Sequence, residues 1–353
     1  LPIYLPLGYG PAGLPQSDRG LNMGAMPATH ALIELLGDVA LLLWGVHMVR
    51  TGILRAFGGD LRQLLGRALR NRLAACLAGL GVTVALQSST ATGMMATSFL
   101  ADGVIGLVPA LAVMLGANAG TALVVWALSF DITVVFPALI FIGLVIFRTG
   151  ARTRSRNLGR ATIGLGLVLL SLHLLVETIV PDTVAPEARE LIAAITREPL
   201  PVLVMAALIT WAMHSSIAAV LVIVSLADSG LVTPLAALAM VLGANLGSAF
   251  NPLLAATSGD RNALRLPVGN LINRLVGCVA LLPFLPEAAA YLVLMEPDPG
   301  RMVAGFHLLL NVVLAVLFIL PLASQAKLLE KLIPDRPRPD DPATPRYLDA
   351  GSL

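Results

Sequence analysis

The sequence predicts an all-α polytopic membrane protein built from two inverted structural repeats, each with a re-entrant helical hairpin and a broken helix. Three observations predict it: a composition too apolar for a soluble domain, apolar runs of membrane length, and paired motifs that recur at one spacing. Over 353 residues the hydrophobic types make up 57% and the charged types 12%, about half of the roughly 25% charge of a soluble domain. Mean hydropathy is +0.86. So little polar surface cannot coat a globule of this length, and runs that are continuous rather than alternating exclude a transmembrane β-barrel. A net charge of +2 gives no ground for nucleic acid as a partner. Cys76 and Cys278 both lie in apolar runs and read as small buried side chains rather than a disulfide or metal pair.

Residues 1–30 are expected to be irregular. Their apolar start is broken by Pro2, Pro6 and Pro11 and lacks a basic flank, which fits neither a signal peptide nor a span. Met23 or Met26 is the expected natural start. Full spans are expected at 31–49, 104–130, 132–147, 161–180, 230–256, 266–286 and 302–322, judged against a hydrocarbon core about 30 Å thick. Stretches 73–101 and 200–227 differ, because polar clusters interrupt them: Gln87-Ser88-Ser89-Thr90 and His214-Ser215-Ser216. Two half-length helices meeting at a polar tip describe a re-entrant hairpin, which survives at membrane depth only beside protein or a wet cavity.

Charge orients the scheme. Arg50, Arg55, Arg62, Arg67, Arg70 and Arg72, then Arg148 to Arg160, Arg261, Arg265, Lys327 and Lys331 form basic clusters. Placing them inside puts Glu34, Asp38, Asp182, Glu187, Glu287, Glu296 and Asp298 outside. The positive-inside rule holds at every loop only if both interrupted stretches are hairpins. The N-terminus is then outside and the C-terminus cytoplasmic.

The two interrupted stretches repeat each other. ALQSSTA at 85–91 aligns with AMHSSIA at 212–218, and LGANAGT at 115–121 with LGANLGS at 242–248, both 127 residues apart. LLLWGVHMVRTGI at 41–53 resembles LVLLSLHLLVETI at 167–179, with His47 over His173. Short amphipathic surface helices are expected at 61–73 and 188–200. The chain thus divides into a first membrane repeat at 31–155, an inverted second at 156–286, an extracellular loop with the last span at 287–326, and a cytoplasmic tail at 327–353. Inverted repeats with matched polar breaks point to a secondary transporter whose site lies where the breaks converge.

Each tip starts a half-helix, whose first N–H groups are unpaired and carry the positive end of the dipole. Serine suits the N-cap there. Two facing tips would bind an anion through Gln87, Ser88, Ser89, Thr90, His214, Ser215 and Ser216. No Lys or Arg occurs from 73 to 147 or from 198 to 260, so a buried anion lacks an evident counter-ion, which is costly. A co-bound Na+ would supply it, held by oxygens of Gln87, Ser88, Asn118, Thr121, Ser215, Asn245 and Ser248 and by carbonyls freed where the LGAN segments unwind. Against this, paired serines serve helix packing elsewhere in membranes, and the asparagines between glycines could simply bend a helix. His47 and His173 read as packed-face residues, and Arg274 as snorkelling or pairing at the inner face.

Gln87-Ser88-Ser89 with Thr90, the duplicated LGANxG[TS], Asn71-Arg72 and HLLLN at 307–311 resemble the type II sodium–phosphate cotransporter family and its bacterial relatives, over roughly residues 30–325. The resemblance implies sodium-driven uptake of inorganic phosphate, with the anion between the hairpin tips and sodium beside them. It also implies an elevator-like movement, a homodimer, no covalent cofactor, and the bacterial inner membrane. Many bacterial members carry a helical regulatory domain after the membrane part, and 334–353 reads instead as a short Pro-rich charged tail. Two departures stand out: Ile217 replaces the third hydroxyl of the second copy, and His214 its glutamine. The second departure puts one sodium site in doubt and allows part proton coupling. Export, or carriage of another oxyanion, stays open. An intramembrane serine hydrolase is disfavoured, since no partner Asp lies in the apolar core, and a channel fits two closed tips poorly. No enzymatic activity is expected.

Overall fold

The computed structural model describes residues 28–67, 71–130, 135–178, 190, 192, 194–256 and 261–334. Among these the regular structure is helical, and six stretches are long and apolar enough to cross a membrane: Leu32–Gly66, Leu107–Leu128, Thr153–Thr178, Pro234–Ala256, Arg261–Met295 and Pro299–Ile319. The chain is an all-α polytopic membrane protein. The seventh expected span, 132–147, corresponds to a helix of only 14 residues, Phe136–Thr149, about 21 Å long at 1.5 Å per residue.

Helix α1 (Ala28–Arg67), 40 residues, is about 60 Å long, twice the hydrocarbon thickness. No proline interrupts it, and Gly58 and Gly59 face open space. The surface helix expected from 61 is therefore the end of α1 as far as Arg67; of its counterpart at 188–200, residues 190, 192 and 194–200 are described, helical at 190, 192, 194 and 195 and ending before Pro199. Residues 1–27, 257–260 and the tail from 335 lie outside the described residues. Helices α2 (Arg72–Leu86) and α3 (Ser89–Ala101) form the first hairpin, followed by α4 (Leu107–Leu128), α5 (Phe136–Thr149) and α6 (Thr153–Thr178). The second copy follows as α7 (Pro199–Met213), α8 (Ser216–Asp228), α9 (Pro234–Gly247), α10 (Phe250–Ala256) and α11 (Arg261–Leu281). A short 3₁₀ turn, α12 (Leu285–Met295), α13 (Pro299–Ile319) and α14 (Leu322–Leu332) complete the described chain.

The repeat is visible in the packing. A Cβ on Gly116 would collide with the Cys76 carbonyl, and one on Gly120 with that of Leu80; Gly243 and Gly247 stand likewise against the carbonyls of Leu203 and Ala207. Each pair is displaced by 127 residues. In both copies the hairpin's first helix therefore runs parallel to the LGAN helix at a separation only glycine permits. The matching spans α1 and α6 pack together in opposite directions: Gly45 meets Gly164 and Val168, while Gly52 meets Asn157 and Ala161. Antiparallel courses for matching elements are what inverted copies require. Helix α13 touches both α4 and α8 and so bridges the copies; at its start Gly300 N–H donates to the Asp228 carboxylate at the end of α8, 2.6 Å.

One expectation about backbone is corrected. LGANAGT lies inside the continuous helix α4, and LGANLGS stays helical to Gly247, with a turn only at 248–249. The glycines serve close packing rather than unwinding, so the first copy offers no freed carbonyls at this motif.

Candidate anion site between the hairpin tips

Each hairpin reverses on two residues. Gln87 (φ 50°, ψ 35°) and His214 (φ 54°, ψ 18°) end α2 and α7 in the left-handed region, a conformation that is uncommon without glycine and concentrates at functional sites. Ser88 and Ser215 follow in extended geometry as N-caps, each Oγ accepting from the N–H of Ala91 or Ala218 at 3.2 Å. Thr83 Oγ1 donates to Thr92 Oγ1 across the first hairpin at 2.8 Å, fixing the two helices side by side. With the serine oxygen accepting from the helix, its O–H remains free to donate outward.

The two tips share one cavity of about 230 Å³. Gln87, Ser88, Ser89 and Thr90 line it from one side, and His214, Ser215, Ser216 and Ile217 from the other. A water takes about 30 Å³ in the liquid, so a tetrahedral oxyanion fits with several waters. Ser89 is buried; Gln87, Ser88, Thr90, Ser215 and Ser216 are half-buried, and His214 is exposed. His214 Nδ1 lies 2.8 Å from the Trp211 carbonyl. The Gln87 Oε1 is buried without a hydrogen-bond partner.

The lining also holds what the sequence reading left out. Arg50 and His47 of α1 reach the same cavity, with Arg50 half-buried. The expectation that an anion here has no side-chain counter-ion is thus corrected: α1 brings a guanidinium to the tips from outside the two segments searched for one. Its signal was present in the repeat. Arg50 stands over Val176 when 41–53 is laid on 167–179, so the first copy carries a charge that the second lacks.

The remaining sodium-site candidates lie elsewhere. Asn118, Asn245 and Ser248 gather around Arg274, while the Thr121 hydroxyl donates to the Ala117 carbonyl of its own helix at 3.1 Å. Arg274 does not snorkel: it is 4% exposed. Its Nη2 donates to Asn118 Oδ1 at 2.5 Å, and its Nη1 to the Asn245 carbonyl and Ser248 Oγ. Asn71 caps α2 by accepting from Leu73 N–H at 3.1 Å, and Asn311 donates to the His307 carbonyl at 2.9 Å, with both residues buried.

Fold and site together define a multi-pass membrane protein of two inverted copies whose hairpin tips close on one polar cavity. The chain belongs to the Na+/Pi-cotransporter family, which matches residues 41–177 and 175–310. It is 38% identical over 322 residues to YjbB of Escherichia coli (strain K12), named as a proposed inorganic phosphate export protein, covering 91% of this chain and 59% of YjbB. The chain thus spans a little over half the length of that relative. YjbB of Salmonella typhimurium is 38% identical over 323 residues with the same coverage. YqeW of Bacillus subtilis, described as uncharacterized, is 27% identical over 304 residues, covering 86% of this chain and 98% of YqeW. No solved structure matches.

Proposed function

We propose that the chain is a secondary carrier of inorganic phosphate, coupled to sodium and working by an elevator-type alternating access. The observation that carries this reading is the single cavity lined by both serine-capped tips together with Arg50. Two helix starts and the hydroxyls of Ser88, Ser89, Thr90, Ser215 and Ser216 supply neutral donors, and Arg50 supplies one positive charge. The phosphate dianion carries one charge more than Arg50 cancels. Sodium beside the anion balances it, and the unpartnered Gln87 Oε1 is an acceptor-only oxygen suited to that cation. Ser88 and Ser215 complete the reach of such an ion. The hairpins are re-entrant, the carrier a homodimer of the bacterial inner membrane, and the N-terminus outside with the C-terminus in the cytoplasm.

The test is phosphate flux in proteoliposomes of the purified chain. An imposed sodium gradient should drive labelled phosphate in the direction of the sodium flow, and the drive should vanish when sodium is replaced by potassium. Flux indifferent to sodium would overturn the coupling. A second reading, phosphate export, is favoured by the name of the YjbB relatives; net phosphate efflux from loaded cells without a sodium requirement would support it instead.

A further inference from the structure

The Arg274 guanidinium lies where the duplicated LGAN motifs of both copies meet. Asn118 Oδ1 comes from the first copy, and the Asn245 carbonyl and Ser248 Oγ from the second. These are an amide oxygen, a main-chain oxygen and a hydroxyl, the hard neutral donors that suit Na+. The second pair stands at the C-terminal end of α9, where Ser248 is the cap and the helix dipole favours a cation. Asn118 is turned towards the guanidinium by its own Nδ2, which donates to Asn270 Oδ1 at 2.8 Å.

Among the described residues no carboxylate stands within ion-pair distance of Arg274, and its Nε has no partner. Its charge is solvated by the same oxygens that would coordinate a metal ion. Guanidinium offers donors only, so it consumes those lone pairs and repels a second cation at that distance. Sequence sets this arrangement in one copy alone. Displaced by 127 residues, Arg274 falls on Phe147 and Asn270 on Gly143, so the polar face of α11 has no counterpart in α5.

We propose that Arg274 is a tethered cation occupying the site built by Asn118, Asn245 and Ser248, and that it takes the place of a sodium ion there. Resting on the sodium-coupled reading above, this leaves sodium only at the hairpin tips and lowers the sodium carried per phosphate by that one ion. Each transport cycle then draws less free energy from the sodium gradient.

The experiment counts sodium. Equilibrium binding of radioactive 22Na+ to the purified chain in detergent, without phosphate, is compared for the unaltered protein, Arg274→Gln and Arg274→Lys. Arg274→Gln should bind one Na+ more per chain, and Arg274→Lys, which keeps a tethered charge, should bind no more than the unaltered protein. An unchanged count in a monodisperse Arg274→Gln overturns the proposal. Should that variant not fold, Ser248→Ala in the unaltered background decides. Sodium count and affinity stay as they were if Arg274 fills the site, whereas a loss of sodium there overturns it. Because phosphate is absent, a chain that carries another oxyanion gives the same counts; failure of sodium-driven phosphate uptake sinks the transport reading alone.

Discussion

Ser88 and Ser215 each accept a helix N–H and keep a proton to donate, so every tip presents neutral donors at the positive end of a helix. Arg50 is the residue that sets the electrostatics between them. Removing its charge should cost more than removing a hydroxyl, since hydrogen bonds to charged groups are worth about 1.5–3 kcal/mol and neutral ones about 0.5–1.5 kcal/mol. Arg50→Gln is therefore expected to raise the phosphate KM by ten- to a hundredfold, on the order of that free-energy range. Ser88→Ala or Ser215→Ala should raise it by up to roughly tenfold. The comparison is made at fixed sodium in proteoliposomes, and an unaltered KM in Arg50→Gln would remove the guanidinium from the anion. The tip serines were legible in the sequence because they recur at a helix break. Arg50 was not, because it belongs to another helix and was counted with the basic cluster that follows the first span.

At the level of elements, the LGAN helices are held by glycine rather than broken by it. A Cβ on Gly116 would fall 1.7 Å from the Cys76 carbonyl, so Gly116→Leu must force α2 off α4 and with it the first tip. Overpacking of this kind costs about 1–3 kcal/mol or more. The thermal midpoint of the purified variant should drop by several degrees, and phosphate binding should weaken with it. Gly58→Ala is the control: it meets open space within α1 and should gain up to ~1 kcal/mol from helix propensity. The motif itself was evident in the sequence. Its role was not, since a Gly-x-x-x-Gly segment reads equally as a packing face or a bend until the neighbouring backbone is in place.

For the whole molecule, inversion of the two copies is the organising fact. The antiparallel packing of α1 on α6 agrees with the inverted orientation deduced from the basic clusters. Topology follows as a test on intact cells. In a chain without Cys76 and Cys278, Pro297→Cys should react with a membrane-impermeant maleimide, whereas Arg152→Cys should react only after permeabilisation. The reverse pattern would invert the orientation. Sequence by itself determined the class, six of the seven expected spans, the two hairpins and the serine-bearing tips, because hydropathy, charge bias and a fixed repeat are local or periodic signals written along the chain. Only the tertiary structure decided which cations stand at the two polar centres. Arg50 reaches the tips and Arg274 reaches the LGAN motifs across helix contacts between residues far apart in the chain, and no periodicity in one dimension records such contacts.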